Sequence, residues 1–558
     1  MNARSKWNRK GVSPRLPLGK QAAWRHLWIT AAVILPACTV GPDYRPPETQ
    51  MPSSWAEMPP AMTTTAPTTA PSRATSQPAA IADWWRSLRD PRLDALVAQA
   101  MKSNLDLRVA EARVREARAL RGIIAADYWP QVNVAGSYAY KGNSENAMKY
   151  SGSSGPGLGK QAGGAAVSSA VRAMLTPGQT PAGVAGAAIS GAASTVVTNA
   201  VTGSGGGGSF FAHSQNLYVA GFDASWELDV FGRIRRDVEA ADADVAATED
   251  SRCNTIVTLL AEVALNYVQA REFQQRLAIA RASITSQKDS LQLAQTRFKA
   301  GLTSELDVTQ AKAQLATTQS QIPRLEASLR QTIHRIGVLI GREPSALLPE
   351  FQEHAPIPTV PPEVPIGLPS ELLRRRPDIR RAERELAAAT ARIGAATADL
   401  FPRFSLTGSF GPQAAEIGHM LDWKSFAWSV GPSVRWPVFD GWRIRSNIKA
   451  QDARQEQALA LYEKTVLIAL MEVEDALVGY ANEQVRHQSL AEAVESNRRS
   501  LDLSQELYGG GLIAFLNVLE AQRALYATED QLAQSESSVV GSLIALYKAL
   551  GGGWEAPS

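Results

Sequence analysis

Gly301-Leu302 followed by Leu306-Asp307-Val308, Ala311 and Leu315 recurs as Gly511-Leu512 followed by Leu516-Asn517-Val518, Ala521 and Leu525, a shift of 210 residues. The same shift carries Trp226 onto Trp436 and Arg233-Ile234-Arg235 onto Arg443-Ile444-Arg445. It also carries Ala240, Asp242 and Ala243 onto Ala450, Asp452 and Ala453. Nearer the start of each copy, Asp106, Arg108, Ala110 and Glu111 match Asp378, Arg380, Ala382 and Glu383, and Asp127 and Pro130 match Asp399 and Pro402, a shift of 272. The difference of 62 places an insertion in the first copy, between Tyr138 and Phe222. Two copies in one chain predict a pseudo-symmetric assembly, not an enzyme with one asymmetric pocket.

Lys and Arg number 57 against 54 Asp and Glu, spread along helical patterns, which gives no electrostatic case for nucleic acid as a partner. Cys38 and Cys253 cannot form a disulfide framework, and Cys253 reads as a small apolar residue in a helix. Residues 1–37 carry seven basic residues from Arg4 to Arg25 and then the run LWITAAVILPA, a secretory signal too short to span a bilayer as a mature helix. Leu35-Pro36-Ala37-Cys38 resembles a bacterial lipobox, which makes Cys38 the acylated first residue of the mature chain. Thr39, in place of aspartate, fits sorting to the outer membrane. Residues 38–82 are rich in Pro, Thr, Ala and Ser and predict a lipidated N-terminus and a flexible tether.

After a helical segment ending near Tyr128 the apolar period changes from 3.6 to 2. Val132, Val134, Tyr138 and Tyr140 share one face, against Gln131, Asn133 and Ser137 on the other. The same alternation runs through about 216–228, 404–411 and 426–438. Strands of about ten residues, apolar on one side and polar on the other, carry the pattern of a transmembrane barrel. Four strands leave open edges, which lipid does not tolerate, so the barrel closes by oligomerisation, with twelve strands if trimeric. The Gly-, Ala- and Ser-rich insert at about 141–215 joins the first two strands as an outward-facing loop without a core.

No proline or glycine interrupts Arg233 to Phe298, and Arg443 to Tyr508 contains only Gly479. Helices of that length reach roughly 100 Å at 1.5 Å per residue. Ile256, Leu260, Val263, Tyr267 and Ala270 step by 4, 3, 4, 3, and Val466, Leu470, Val473, Leu477 and Tyr480 repeat those steps, a coiled-coil seam. Glycines at 301 and 509–511 end the long helices and turn the chain into a returning helix. The repeats span 83–341 and 377–550, joined by an equatorial segment at 342–376 and followed by a tail at 551–558.

LLRRRPDIRRAERELAAATARIGAATADLFPRFSLTGSFG (372–411), DWWRSLRDPRLDALVAQA (83–100), CTVGPDYRPP (38–47) and LYKALGGGW (546–554) resemble the TolC-like outer-membrane efflux factors. Within them they are similar to the lipoprotein branch typified by OprM and NodT, the outer-membrane component of RND efflux systems. The likeness covers nearly the whole mature chain except the insert. It implies a mainly α fold with transmembrane β structure: a homotrimer whose twelve-stranded outer-membrane β-barrel continues into a twelve-helix periplasmic α-barrel. It implies a passive exit duct for drugs or other small toxic compounds, working with a periplasmic adaptor of the membrane fusion type and an inner-membrane RND transporter. No cofactor is implied beyond the covalent lipid on Cys38.

Carried over residue by residue, Gly301, Leu302, Thr303 and Ser304, with Gly511, Leu512, Ile513 and Ala514, match tips that meet the adaptor. Glu520 stands where the family usually has a pore-facing aspartate, Asn517 where some members have a second, and Asp307 matches an acidic partner in the other hairpin. Tyr508 and Ile513 match a tyrosine and, in the TolC branch, an arginine of the constriction; apolar Ile513 cannot make that ionic link. A catalytic reading lacks support: the six histidines form no His-x₃-His or Cys–His cluster, and no glycine run has the phosphate-loop ending. A protein-secretion duct of the same fold and a periplasmic coiled-coil spacer are the competing readings; the lipobox and the GGGW tail weigh against the first, the strands against the second.

Overall fold

The computed structural model describes residues 39–48, 51–56, 73–75, 81–142 and 214–555. The signal, Cys38 and most of the insert lie outside them. Eight helices are used below: α1 Pro91–Ser103, α2 Leu105–Ala125, α3 Arg233–Lys299, α4 Glu305–Leu339, α5 Leu372–Arg375, α6 Pro377–Ala398, α7 Arg443–Gly509 and α8 Phe515–Ala549. The strands are β1 Arg73–Thr75, β2 Gln131–Gly142, β3 Ser214–Leu228, β4 Glu363–Pro365, β5 Arg403–Ala414 and β6 Phe426–Arg435. The chain divides into two compact units, one of Met1–Ala125, Phe231–Leu400 and Phe439–Ser558, the other of Ala126–Val230 and Phe401–Val438.

The first unit is helical. Its two long helices, α3 and α7, are each 67 residues, and the helices that return from them, α4 and α8, are each 35, so the duplication extends to element length. The heptad residues are what hold α3 in place: Ile256, Leu260, Val263, Tyr267 and Ala270 are all buried. In α7 Val466, Val473, Leu477 and Tyr480 are buried, with Leu470 half-buried. They join one apolar core with Leu93 and Leu96 of α1, Ile336 and Ile340 at the end of α4, and Leu543 and Ile544 of α8. Trp84 stacks on Tyr547 of α8 with ring centres 5.3 Å apart. Removing a leucine side chain from such a core costs about 2–5 kcal/mol. Among the described residues no helix is long and apolar enough to cross a membrane.

The segment expected to be a flexible tether is held down where it is described. Trp55 is buried and its indole donates to the carbonyl of Gly367 at 3.0 Å. The Tyr44 hydroxyl donates to Glu383 at 3.2 Å, and Asp43 pairs with the buried Arg236 at 2.6 Å. β1 pairs in parallel with β4, Ala74 opposite Val364. Two aromatic anchors and a backbone ladder fix a chain whose average composition predicts none of this, because backbone hydrogen bonds do not depend on an apolar pattern. The inter-repeat segment 342–376, which holds β4, three 3₁₀ turns and α5, receives part of it through β4 and the Gly367 carbonyl.

The second unit is an antiparallel sheet in the order β2-β3-β5-β6. Val132, Val134, Tyr138, Tyr140, Phe222, Phe410, Trp428, Val430 and Val434 lie exposed on one face. The other face is a polar ladder: Asn133 donates to Asp223 at 3.2 Å, Ser405 meets Ser433 at 2.7 Å, and Ser409 meets Ser429 at 2.8 Å. Pleating puts alternate residues on opposite sides, so this division follows from the period-2 pattern. Three strands run a little longer than the periodicity predicts. β6 stops at Arg435 instead of reaching 438, two residues before Pro437, which has no N–H for a ladder. Among the described residues β2 and β6 each have a single neighbour in the sheet, leaving both edges unpaired.

Candidate functional site

The helical tips are built from one device used twice. At the end of α3, Gly301 takes φ +68°, its N–H bonds the carbonyl of Phe298, and Leu302 N–H bonds the carbonyl of Arg297. At the end of α7, Gly511 takes φ +76°, its N–H bonds the carbonyl of Tyr508, and Leu512 N–H bonds that of Leu507. This double bond around a left-handed residue satisfies carbonyls the helix leaves open, and glycine alone enters the conformation without a side-chain penalty. Both turns expose a leucine, Leu302 and Leu512.

The tips differ in how the next helix starts. Ser304 caps α4 by accepting from Leu306 N–H at 3.2 Å, and Thr303 donates its hydroxyl to Asp307. Ala514, in the equivalent place, has no hydroxyl to offer α8. Gly301, Leu302, Ser304, Gly511, Leu512 and Ala514 are exposed, while Thr303 and Ile513 are half-buried.

The residues expected at the constriction separate into two groups. Asn517 and Glu520 lie one turn apart on the exposed side of α8, and Asp307 is half-buried beside Thr303. Tyr508 and Ile513, expected at the constriction with them, pack within the chain. Tyr508 is buried, its ring tilted against that of buried Phe515 with centres 5.1 Å apart, in a small core with Val308, Ala311, Leu501 and Val518. Ile513 packs on the edge of that core. An aromatic ring at the last turn of a long helix finds more apolar surface inside the hairpin than outside it. Burial, with Asp307 nearby, pushes the Tyr508 hydroxyl above its ordinary ionisation range.

Sequence reasoning missed Arg297. It reaches from α3 to α7, donating to the carbonyls of Tyr508 and Gly509, each at 3.0 Å, with its guanidinium 4.8 Å from the centre of the Tyr508 ring. The repeat holds a signal: the shift of 210 puts Leu507 at the position of Arg297, so only one of the two hairpins carries a cation there. Deeper between the hairpins, Arg523 donates to Gln314 at 2.6 Å and Gln522 to Ser290 at 2.8 Å, which ties α8 to α4 and α3 through polar groups. A cleft of about 210 Å³ beside Arg376 offers no comparable chemistry, because that guanidinium is spent on Asp378, Glu472 and the carbonyl of Ala549.

Long paired helices with glycine tips share the chain with a sheet that carries one exposed apolar face. Residues 185–342 and 368–552 match the model of the outer membrane efflux protein family. The chain belongs to the outer membrane efflux protein family. It is similar to Nodulation protein T of Rhizobium leguminosarum bv. viciae, 30% identical over 540 residues and covering 95% of each chain. It is also similar to the toluene efflux pump outer membrane protein TtgI of Pseudomonas putida, 29% identical over 532 residues, 95% of this chain and 98% of that one. Among solved structures it resembles the outer-membrane channel OprN at a TM-score of 0.74 and 35% identity, covering 93% of this chain and 100% of that one. As a member of this family the chain has the fold of the TolC-type outer-membrane channels and is an outer-membrane efflux protein.

Proposed function

We propose that the chain forms, with two further copies of itself, the outer-membrane exit duct of a tripartite efflux pump. The observation that carries this reading is the four-stranded sheet with a lipid-compatible face and two unpaired edges. Unpaired strand edges cannot be left in hydrocarbon, and four strands are too few to close around a lumen. Three copies give twelve strands, and the two helical hairpins of each copy give a twelve-helix tube.

A periplasmic adaptor docks on the exposed tips around Gly301–Ser304 and Gly511–Ala514, and an inner-membrane RND transporter drives the cargo. The duct conducts passively and makes or breaks no covalent bond. Relatives named for solvent, toluene and antibiotic efflux support a cargo of small apolar or amphipathic compounds. Leu35-Pro36-Ala37-Cys38 supports a lipid anchor on Cys38. Asp307, Asn517 and Glu520, three times over, form the polar constriction at the periplasmic end.

The test is export. The chain is expressed, with a periplasmic adaptor and an inner-membrane RND transporter, in a host lacking its own efflux ducts, and retention of a fluorescent aromatic dye is followed. Restored efflux is expected. Retention unchanged, with the protein inserted in the outer membrane and its partners present, would overturn the reading.

A further inference from the structure

The repeat sets the start of one long helix against the start of the other. Gly232 and Trp442, related by the shift of 210, immediately precede α3 and α7, with φ of +80° and +71°. Glycine enters this conformation freely, whereas a bulky side chain there is strained. At Gly232 the space is used: a Cβ would come within 2.9 Å of the Thr39 side chain, and Val40 N–H bonds the carbonyl of Phe231 at 3.3 Å. Arg236 fastens the same stretch, donating to the Val40 carbonyl at 3.3 Å and to Asp43 at 2.6 Å. The start of α3 is thus covered by the residues that follow Cys38.

The start of α7 lacks the residues for such a cover. Ser446 stands where Arg236 holds the strap, Asn447 where Asp237 pairs with Arg233 at 3.1 Å, and Lys449 where Glu239 pairs with Arg236 at 2.8 Å. Residues 233–244 carry three cations and four acids, residues 443–454 four cations and one acid. Arg443, Arg445 and Lys449 are exposed, and Asp440, just before them, accepts from the Ile444 N–H at 2.9 Å. Arg445 lies 4.7 Å from the centre of the Trp442 ring. Trp442 is 63% exposed and Phe439 88%, outside the apolar cores described above. A strained backbone that holds a large ring in solvent points to a function for that ring.

We propose that Phe439, Trp442, Arg443, Arg445 and Lys449 form a binding site for an anionic phospholipid, the cations taking its phosphate and the two rings its first acyl carbons. The proposal rests on the outer-membrane duct proposed above and adds a second attachment to it. Arg445 and Lys449, four apart, share one face of the helix. Two arguments choose lipid as the occupant. Phe439 and Trp442 follow Arg435, the last residue of β6, by four and seven positions, so the strand with the exposed apolar face leads along the chain into this segment. Rings with cations beside them suit a membrane–water boundary, where aromatics sit among the head groups and cations near the phosphates. The repeat supplies the second argument: the equivalent turn at Gly232 is covered by Thr39, next to Cys38, the acyl-bearing residue of the proposed anchor. One copy of the repeat meets the membrane through a covalent lipid, the other through a lipid it binds.

The full-length protein, purified in detergent, is titrated with phosphatidylglycerol or phosphatidylcholine, and the lipids it retains are counted by native mass measurement. The parent is expected to retain phosphatidylglycerol in preference. Combining Arg443→Gln, Arg445→Gln and Lys449→Gln should weaken that retention at least about tenfold, since one cation near an anionic surface is worth about fivefold. Arg233→Gln, at the equivalent place in the first copy, should leave it unchanged. Trp442→Gly should relieve the strained turn and raise the melting temperature while lowering retention of both lipids, a split that a merely structural tryptophan would not give. Equal retention of the two lipids by the parent, or equal retention of phosphatidylglycerol by the parent and the triple variant, would overturn the site. A triple variant that falls apart into single chains, while its remaining assemblies hold lipid as the parent does, would show that a neighbouring copy covers the patch and would overturn it too. A parent with the lipid preference that inserts into a bilayer and passes no current would overturn the duct reading and leave this site standing.

Discussion

Arg297 spans two helices to Tyr508, lying 4.8 Å over its ring while donating to its backbone carbonyl at 3.0 Å. One side chain thereby caps the end of α7 and covers the aromatic that closes the tip core. A cation at a helix C-terminus contributes about 0.3–1 kcal/mol and a cation over an aromatic face about 0.5–1.

Arg297→Ala is therefore expected to loosen the α7 tip by about 1–2 kcal/mol, with Arg297→Lys between it and the parent. Hydrogen exchange at Glu506–Leu512 should quicken roughly tenfold, since about 1.4 kcal/mol is a factor of ten. Unchanged exchange there would show that the contact is incidental.

Tyr267 is the buried hinge of a second pair. Its hydroxyl donates to Asp90 at 2.6 Å, while the other Asp90 oxygen caps α1 by accepting from Arg92 and Leu93 N–H. Burial and the hydrogen bond to Asp90 push the Tyr267 hydroxyl up to about 12. In the unfolded chain it ionises near 10, so between about pH 10 and 12 the unfolded state alone releases the proton and stability falls as pH rises. Tyr267→Phe should lower stability at neutral pH by about 1–3 kcal/mol and flatten the alkaline limb of the denaturation midpoint. An alkaline limb identical to the parent's would remove Tyr267 from it.

The long helices, the strands and the tip glycines were legible because each depends on a local period or a backbone constraint. Ile256 to Ala270 announce a seam by spacing alone, and Gly301 and Gly511 announce turns because few other residues enter a positive φ of this size. What was not legible depended on which partner a side chain finds. Tyr508 and Ile513 were singled out by the family resemblance, which says nothing of the apolar core that takes in the Tyr508 ring and has Ile513 at its edge. Trp55 and Tyr44 sit in a stretch whose composition predicts a tether, and a few anchors overrule an average. Arg297 acts through carbonyls of another helix, which no pattern along α3 reveals.

Anchoring rests on Leu35-Pro36-Ala37-Cys38, outside the described residues. Cys38→Ser is expected to abolish metabolic palmitate labelling, and continued labelling would refute the lipid. Several acyl chains with a barrel would hold the protein to the membrane permanently, since one chain alone binds only weakly.

Glu520 is exposed on α8, one turn beyond exposed Asn517. Three copies would bring three carboxylates into one ring, which favours cations over anions. Glu520→Gln should reduce cation selectivity and divalent-ion block without changing thermal stability. Selectivity identical to the parent would exclude Glu520 from the constriction.

Conductance of the purified full-length protein across a planar lipid bilayer tests the duct most directly. Discrete, cation-favouring current steps are predicted, each from one inserted assembly. Folded protein that inserts into the bilayer and passes no current would contradict the account.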